Sequence, residues 1–389
     1  MKKHIILLIG ILTIAIVLLA SCSTAQKTSD SAPEVNLIET TEEVASIDAY
    51  IEEISAIHID TDSIIIVPPT KLLLWGKMII TFSPSKVAAF GTDGRYAGSF
   101  GRMGNGPGEF LRLQDCCVDQ NRGELLCLTH RNEVLRYSLS DFSYLDKIAV
   151  EAKGITATAI MPLDEGGFAL FFPNPPQSGL SDFDDDFYCL RAFNSEGKEL
   201  EESLLRDDFN VNMGFSSPSI QCKDSYALSY RIGNGLCYSV RKGEITPLLN
   251  LSFGNRSIPY RESFNGVNNP WEKIGEIFES DYFKCQSSVC YTDDVYYVSA
   301  FGKNSAVWNF VIGKSLKRRG IRWQSVGKEN PPMRALASDG EYLYFCYGET
   351  GIQSSTDTSD PLQKVTIDRL GLVLGENDNP VIVKVKFKI

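Results

Sequence analysis

The sequence predicts an all-β fold, a six-bladed β-propeller with about four antiparallel strands per blade. Two observations carry this prediction: one strand-turn-strand unit recurs with a period of roughly 50 residues, which is typical of propellers, and no long amphipathic helix interrupts it. A chain of 389 residues that is 43% hydrophobic is large enough for such a core. A pair of β-sandwich domains is the alternative, but one constant strand order from end to end favours radial repetition.

The first 21 residues have the pattern of a bacterial lipoprotein signal peptide. Lys2 and Lys3 precede an apolar run, Ile5 to Leu19, and Leu19-Ala20-Ser21-Cys22 is a small-residue cleavage site that ends in cysteine. The resemblance implies cleavage before Cys22 and lipidation of that residue. The alternative is a transmembrane anchor, which the apolar run disfavours because it is shorter than the ~20 residues needed to span a bilayer.

We therefore expect a signal peptide at 1–21, a lipidated Cys22 with a flexible tether at 22–34, and the propeller at 35–389. Loss of Lys2 and Lys3 takes the formal charge from −11 to −13, which argues against nucleic acid as a partner. Membrane contact is then through the lipid alone. The predicted location is the cell envelope, at the outer membrane. Residues 23–27 lack an acidic pair, which favours the periplasmic over the surface side.

Six copies of the unit follow one another along the chain. Their most regular parts are 85–94, 124–145, 167–200, 225–245, 294–312 and 341–387. Before them, Glu34–Ile59 fits either a strand or a helix leading into the fold, and Ile64–Val67 reads as a short strand ended by two prolines. Three stretches read as irregular loops and are candidate binding surfaces, namely 174–186, 255–279 and 348–363.

The segment from Phe90 to Phe110 holds an Asp-Gly turn and then a loop too rich in glycine and proline for a helix or a central strand. The spacing Gly101 to Gly106 resembles a P-loop, but Pro107 stands where lysine is required, and the dinucleotide-binding spacing fails at Glu109. We predict a structural crossing between blades instead, with Glu109 accepting a backbone amide. Its residues are Gly101, Gly104, Gly106, Pro107, Gly108 and Glu109.

Few residues point to a metal or to catalysis. Asp182, Asp184 and Asp186 are spaced like the opening of a calcium loop, but the glycine and glutamate that complete an EF-hand are missing, so a solvated acidic loop is preferred. We predict no cofactor, with calcium as the alternative. The mature chain keeps two histidines, His58 and His130, and no G-x-S-x-G motif.

Nine cysteines remain after Cys22 and cannot all pair with one another. No C-x-x-C motif or Cys/His cluster is present, so a zinc site is not expected. Several of these cysteines, such as Cys127, Cys189, Cys237 and Cys346, lie in apolar runs, which is typical of buried free thiols in strands. The alternatives for an exported chain are disulfides that use the adjacent Cys116 and Cys117, or Cys285 with Cys290.

The lipobox at Cys22, the Phe90–Phe110 segment with its Asp93-Gly94 turn, and the ending Asn379–Phe387 resemble the six-bladed β-propeller lipoproteins of Bacteroidetes, which are related in architecture to NHL-repeat propellers. The resemblance spans most of the mature chain. It implies a closed ring that offers its top face and central channel to a peptide, glycan or protein, and it carries over no catalytic residue.

Two functions follow from these observations. The first is a lipid-anchored binding or scaffold module for a protein, peptide or glycan, because the chain lacks a nucleophile or a metal set. The second is a hydrolase or lyase that acts at the propeller axis through carboxylates, with or without calcium. A non-enzymatic role is favoured.

Overall fold

The computed structural model describes residues 32–60, 62–150, 156–172, 188–206, 218–229, 235–259, 263, 270–303, 306–325, 333–348, 360–372 and 378–389. Residues 33–389 form one compact unit. Most of the described residues lie in strands, and the prediction of an all-β fold is confirmed.

The unit begins with three strands and a short helix that later join sheets formed by distant parts of the chain. These elements are β1 (Glu34–Asn36), α1 (Leu37–Thr40), β2 (Thr41–Glu43) and β3 (Ile51–His58). Asn36 caps α1, because its side chain accepts the backbone N–H groups of Ile38 and Glu39. The open prediction of strand or helix for this region is thus resolved as strands around a single helical turn.

Three antiparallel four-stranded sheets follow in chain order. Sheet 1 comprises β4 (Lys71–Trp75), β5 (Met78–Ser83), β6 (Lys86–Gly91) and β7 (Tyr96–Ser99). After the short strands β8 (Arg102–Met103) and β9 (Glu109–Phe110), sheet 2 comprises β10 (Leu113–Asp119), β11 (Glu124–Thr129), β12 (Glu133–Ser138) and β13 (Tyr144–Ala149). Sheet 3 comprises β14 (Ala159–Pro162), β15 (Phe168–Phe171), β16 (Tyr188–Phe193) and β17 (Glu199–Arg206).

Three further four-stranded units complete the chain. Sheet 4 comprises β18 (Ser219–Cys222), β19 (Ser225–Leu228), β20 (Gly235–Arg241) and β21 (Glu244–Ser252). After helix α2 (Pro270–Glu279), sheet 5 comprises β22 (Lys284–Tyr291), β23 (Val295–Phe301), β24 (Val307–Gly313) and β25 (Gly320–Ser325). Sheet 6 comprises β26 (Ala335–Ser338), β27 (Leu343–Tyr347), β28 (Val381–Phe387) and the N-terminal β3, with helix α3 (Pro361–Leu370) between β27 and β28.

The N-terminal strands extend sheets 4 and 5 as well as completing sheet 6. β1 pairs in parallel with β21, with Val35 opposite Leu251, and β2 pairs in parallel with β25, with Glu42 opposite Ile321. β3 pairs antiparallel with β28 over its whole length. The outer edge of each of these three sheets is therefore formed by residues from the beginning of the chain.

The first strands of the six sheets lie next to one another in succession, and β26 of sheet 6 contacts β4 of sheet 1. β18 also pairs in parallel with β26, with Gln221 opposite Ala337, so sheets 4 and 6 join into one nine-stranded sheet. The second strands are buried on both faces, as in the all-buried β11, whereas the fourth strand β13 is mostly exposed. Neighbouring sheets pack face to face, which explains why the second strands read as continuous apolar runs.

Two sequence-based predictions about this part of the fold are wrong. Ile64–Val67 is not a strand: the N–H of Ile66 donates to the Oδ1 atom of Asn379, at 2.8 Å, instead of joining a ladder. The stretches 255–279 and 348–363 are also not wholly irregular, because they include α2 and the start of α3. Asp360 caps α3 through the N–H of Leu362, and Pro361 occupies the first turn, a start signal that the loop-like composition upstream obscured.

Candidate functional site

The antiparallel order of the sheets creates two edges of the molecule. At the crossing edge, second strands turn into third strands and each fourth strand leads to the next sheet. At the hairpin edge, first strands turn into second strands and third strands into fourth. Each edge carries one cavity described below.

The glycine-rich segment forms the crossing from β7 of sheet 1 to β10 of sheet 2. Within it, β8 and β9 pair in parallel, with Arg102 opposite Glu109. The N–H of Gly104 donates to the carbonyl of Phe110 at 3.1 Å, and the N–H of Glu109 donates to the carbonyl of Gly106 at 3.0 Å. These bonds give the loop a fixed shape.

Two glycines of the crossing occupy positions that other residues do not fit. Gly101 and Gly108 have φ of +63° and +69°, in the left-handed region. A Cβ atom at Gly101 would lie 2.5 Å from the hydroxyl of Tyr137, and one at Gly108 would lie 2.7 Å from the ring of Tyr144. The buried hydroxyl of Tyr137 donates to the carbonyl of Gly108 at 2.9 Å, which binds the crossing to sheet 2.

Glu109 holds the turn of the crossing. Its Oε2 atom accepts the N–H of Gly106 at 2.8 Å, and its Oε1 atom accepts the Nε–H of Arg102 at 2.6 Å. The Gly106 amide, followed by Arg102, lowers the pKa of Glu109. The carboxylate is therefore ionised at neutral pH and is already occupied by partners within the loop.

A cavity of about 380 Å³ lies between this crossing and the β11–β12 turn of sheet 2, at the crossing edge. Its volume is in the range of small-ligand sites. We call it the crossing cavity. Its lining comprises Gly104 to Leu111, Thr129, His130, Arg131, Glu133, Leu135, Tyr144 and Lys147.

Among the residues that the structure describes, Arg131 is a cation of the crossing cavity without an ionic partner. Lys147 pairs with Glu133 at 2.7 Å, and Glu109 is held by the loop. The guanidinium of Arg131 is exposed and makes no ion pair with any residue in the described ranges. In a protein of net charge −11, an unpaired arginine at a cavity favours a ligand with an anionic group.

Apolar groups flank the same cavity. Leu111 lines it and is 43% exposed, and Met103, which directly precedes the lining residues, is 61% exposed. The half-buried ring of Tyr144 forms part of the wall. An aromatic wall, exposed apolar side chains and an exposed guanidinium together are typical of interaction surfaces.

A second cavity, of about 480 Å³, lies at the hairpin edge among sheets 4, 5 and 6. We call it the hairpin cavity. The hydroxyl of Tyr291 lies 2.6 Å from Ser225 Oγ and 2.9 Å from Ser239 Oγ in its wall, and burial raises the pKa of Tyr291 to about 12. Four charged groups of its lining form two ion pairs, Arg241 with Asp224 and Lys223 with Asp293, and Glu244 is a fifth charged group of the lining.

The first strands meet in a polar cluster that fills the space among them. Lys71 Nζ lies 2.9 Å from Asp115 Oδ1 and 2.9 Å from Ser219 Oγ, and the side chains of Lys71 and Asp115 are 2% and 0% exposed. Asp115 also accepts the N–H of Ile160 at 3.0 Å. One ion pair thus connects sheets 1, 2, 3 and 4.

The structure brings together the six predicted crossing residues. Cys22 and the weak metal candidates Asp182, Asp184 and Asp186 lie outside the described residues. Within the described ranges, no group of three or more His, Cys, Asp or Glu side chains is placed to hold a metal ion. In that same part of the chain, no helix has the length and apolar character needed to cross a membrane.

The cysteines have different neighbours from those that the sequence offered. Cys116 stands opposite Cys127 across β10 and β11, and not beside its chain neighbour Cys117, because successive side chains of a strand point to opposite faces. Cys290 lies 3.6 Å, sulfur to sulfur, from Cys222. Cys116, Cys117, Cys127, Cys222 and Cys290 are buried free thiols.

The second wall of the crossing cavity, which includes Arg131, was not predicted from the sequence. His130 lies in this wall, and its Nδ1 atom lies 3.3 Å from the carbonyl of Arg112. The only local sequence signal for this wall is a polar turn between two apolar runs, and this pattern is common to many turns. Only the packing of sheet 1 against sheet 2 places that turn beside the glycine-rich segment.

Comparison with known proteins places the chain in a family. Residues 32–386 match the domain of unknown function DUF4934, so the chain belongs to that family. A search among proteins of curated function found no match.

Solved structures from Bacteroides species resemble the fold. A protein named as exported, from Bacteroides fragilis NCTC 9343, is 18% identical with a TM-score of 0.67, over 90% of this chain and 98% of that one. A member of the duf4221 family from Bacteroides vulgatus ATCC 8482 is 10% identical with a TM-score of 0.55, over 87% of this chain and 97% of that one. At these identities the likeness concerns the fold alone.

Proposed function

We propose that this DUF4934 protein is a lipid-anchored binding module of the cell envelope, built as a six-bladed β-propeller, that holds a protein or glycan partner at the crossing cavity. The observation that carries the proposal is the cavity itself, where the unpaired Arg131 lies near exposed apolar side chains. The partner presents an anionic group to Arg131 and an apolar or planar surface to Leu111 and Tyr144.

The arrangement of the sheets supports six blades. Each of the six units has four strands in one order, and the first strands contact their neighbours in succession, including the last with the first. The last unit takes its outer strand, β3, from the start of the chain. Propellers commonly close their ring by such a composite blade, which leaves only short, protected edges.

The polar cluster at the first strands favours binding over catalysis at the axis. In a propeller these strands surround the axis. Asp115, the carboxylate that the cluster contains, is fully buried and paired with Lys71, so a ligand does not reach it. The exposed crossing cavity is therefore the better candidate for contact with a partner.

The envelope location rests on the N-terminal signal and gains support from the similar Bacteroides fragilis protein, which is named as exported. Metabolic labelling of cells with a radioactive fatty acid tests the anchor. Label is expected on the full-length protein and not on Cys22→Ala. Equal labelling of both would refute lipidation at Cys22.

Site-specific photo-crosslinking in intact cells tests the binding site. A photoreactive residue at Leu111, 43% exposed in the crossing cavity, is compared with one at Leu200, which is 42% exposed on β17 of sheet 3. We expect a discrete adduct from position 111 only, and we expect Arg131→Glu to abolish it while Arg319→Glu, a change of another exposed arginine, leaves it intact. Equal adducts from both leucine positions, or an adduct that survives Arg131→Glu, would contradict the assignment.

A further inference from the structure

Two buried cysteines from different sheets lie side by side near the hairpin cavity. Cys222 is the last residue of β18 in sheet 4, and Cys290 lies near the end of β22 in sheet 5. Their sulfur atoms are 3.6 Å apart, and both side chains are buried. We propose that Cys222 and Cys290 form a disulfide that covalently joins sheets 4 and 5.

The geometry requires only a small movement. A disulfide bond is about 2.0 Å long, so the sulfur atoms must approach by roughly 1.6 Å. The two strands are adjacent first strands that already contact each other. Rotation of the two side chains with a slight shift of the strand ends supplies such a displacement without a change of register.

The surroundings assign different roles to the two thiols. Cys222 lines the hairpin cavity, and its sulfur accepts the backbone N–H of Tyr291 at 3.4 Å. The ammonium group of Lys314 lies 4.6 Å from the centre of the Tyr291 ring and adds a positive charge to this region. Cys290 does not line the cavity, and burial raises the pKa of its thiol. Cys222 is therefore the thiol that meets an oxidant first.

The oxidant is a disulfide, either a small molecule or the active site of a thiol-disulfide oxidoreductase. The Cys222 thiolate attacks one sulfur of that disulfide and forms a mixed disulfide, and the other sulfur leaves as a thiolate. Cys290, on losing its proton, then attacks the Cys222 sulfur and displaces the second thiolate. The protein loses two protons and two electrons, and the reagent disulfide is reduced to two thiols.

Cys116 and Cys127 provide an internal comparison. They are buried register partners on neighbouring strands of sheet 2, but neither lines either of the two cavities described above. A reagent has no comparable path to them. Their oxidation would also join only two strands that are already paired.

The cross-link would close a loop of 68 residues, which contains the remainder of sheet 4 and helix α2. Closing a loop of this length restricts the unfolded chain. For a protein of this size we expect the melting temperature to rise by roughly 5 °C.

Full-length protein equilibrated in oxidised and in reduced glutathione tests the proposal. After denaturation, alkylation of free thiols and digestion, mass spectrometry of the oxidised sample is expected to find Cys222 linked to Cys290, with Cys116 and Cys127 alkylated. The melting temperature should rise on oxidation and return on reduction. The rise should be absent from Cys222→Ser and Cys290→Ser and retained by the double variant Cys116→Ser/Cys127→Ser.

Three results would overturn the proposal. They are alkylation of both Cys222 and Cys290 after oxidation of the wild-type protein, linkage of Cys290 to Cys285, and linkage of Cys116 to Cys127 in place of the proposed pair. All three are read from the wild-type protein, so they do not depend on whether a serine variant folds.

Discussion

Sheets 1–3, which we call the open half, and sheets 4–6, the covered half, differ in what lies at their outer edges. In the covered half, the N-terminal strands β1, β2 and β3 occupy the edges of the three sheets. In the open half, β7, β13 and β17 end their sheets, and each pairs on one side only, because no strand in the described ranges pairs with its outer edge. The open half is folded from one continuous stretch of chain, whereas the covered half depends on residues more than 200 positions away.

The open edges are protected by composition instead of by pairing. β7 is only four residues long, β13 carries Asp146 and Lys147, and β17 carries four charged residues among eight. Short strands and charges discourage a second chain from adding to an exposed edge. In the described part of the chain, the outer edges of sheets 1–3 therefore remain accessible without a covering strand. The crossing cavity lies in this half.

The largest expected effect comes from breaking the buried ion pair between sheets 1 and 2, which the hydrogen bond from Lys71 to Ser219 connects to the covered half. Lys71→Met leaves Asp115 buried without its counter-ion, and we expect a loss of about 3–5 kcal/mol in the free energy of unfolding, measured with urea. Both halves should lose stability together. The double variant Lys71→Met/Asp115→Leu should recover part of the loss, because no buried charge then remains. A single variant as stable as wild type would show that the pair contributes nothing.

The second largest loss of stability is expected to affect the covered half before the open half. Leu37 is fully buried between β1 and β2, and Leu37→Ala is expected to cost about 2–5 kcal/mol. Amide hydrogen exchange should accelerate first in β21 and β25, which the N-terminal strands cover, and not in β11. Leu126→Ala, a buried substitution in sheet 2, serves as the control with the opposite distribution. Equal acceleration in both halves would remove the distinction between them.

A smaller effect concerns the crossing within the open half. Gly108→Ala places a methyl group against Tyr144 at a left-handed backbone position, and we expect a loss of about 1–3 kcal/mol. Gly275→Ala, at an exposed position of α2 where a Cβ meets no atom within 4 Å, should instead be neutral or stabilising. Denaturant unfolding of the two variants measures this difference in the free energy of unfolding. Similar losses of stability in the two variants would mean that a side chain at position 108 does not strain the crossing.

The smallest effect depends on pH. The pKa of Glu109 is lowered in the folded state, so its carboxylate stabilises the fold above the unfolded pKa, near 4.3, and this contribution disappears as pH falls through the folded value. Glu109→Gln should therefore melt below wild type at pH 7 and approach it at pH 3. A constant difference in melting temperature across that range would exclude the charge as its cause.

The sequence predicted the second and third strands of most sheets well, and the first strands poorly. The regular part of the second repeat unit, 124–145, contains β11 and β12, the second and third strands of sheet 2. First strands such as β18, with the sequence SIQC, were not assigned, because they carry polar residues whose partners are far away in the chain. Ser219 bonds to Lys71, 148 residues earlier. The local sequence around Ser219 gives no information about so distant a partner.

The candidate site also has one part that the sequence predicts and another part that it does not predict. The glycine-rich crossing was recognisable because glycine and proline restrict local conformation. Arg131 was not, because its significance comes from its position beside Gly106 and Leu111 after sheet 1 packs against sheet 2. Short-range conformational preferences predict such a loop, whereas the cavity is a property of the assembled sheets.

Sheet 6 combines β3, which begins at Ile51, with β28, which ends at Phe387, two residues before the end of the chain. This pairing has a consequence for synthesis. β3 cannot complete its pairing until the residues of β28 have been synthesised. Because contacts of such long sequence separation form slowly, folding of sheet 6 is expected to follow synthesis of β28. A nascent chain arrested before Val381 should remain open to protease.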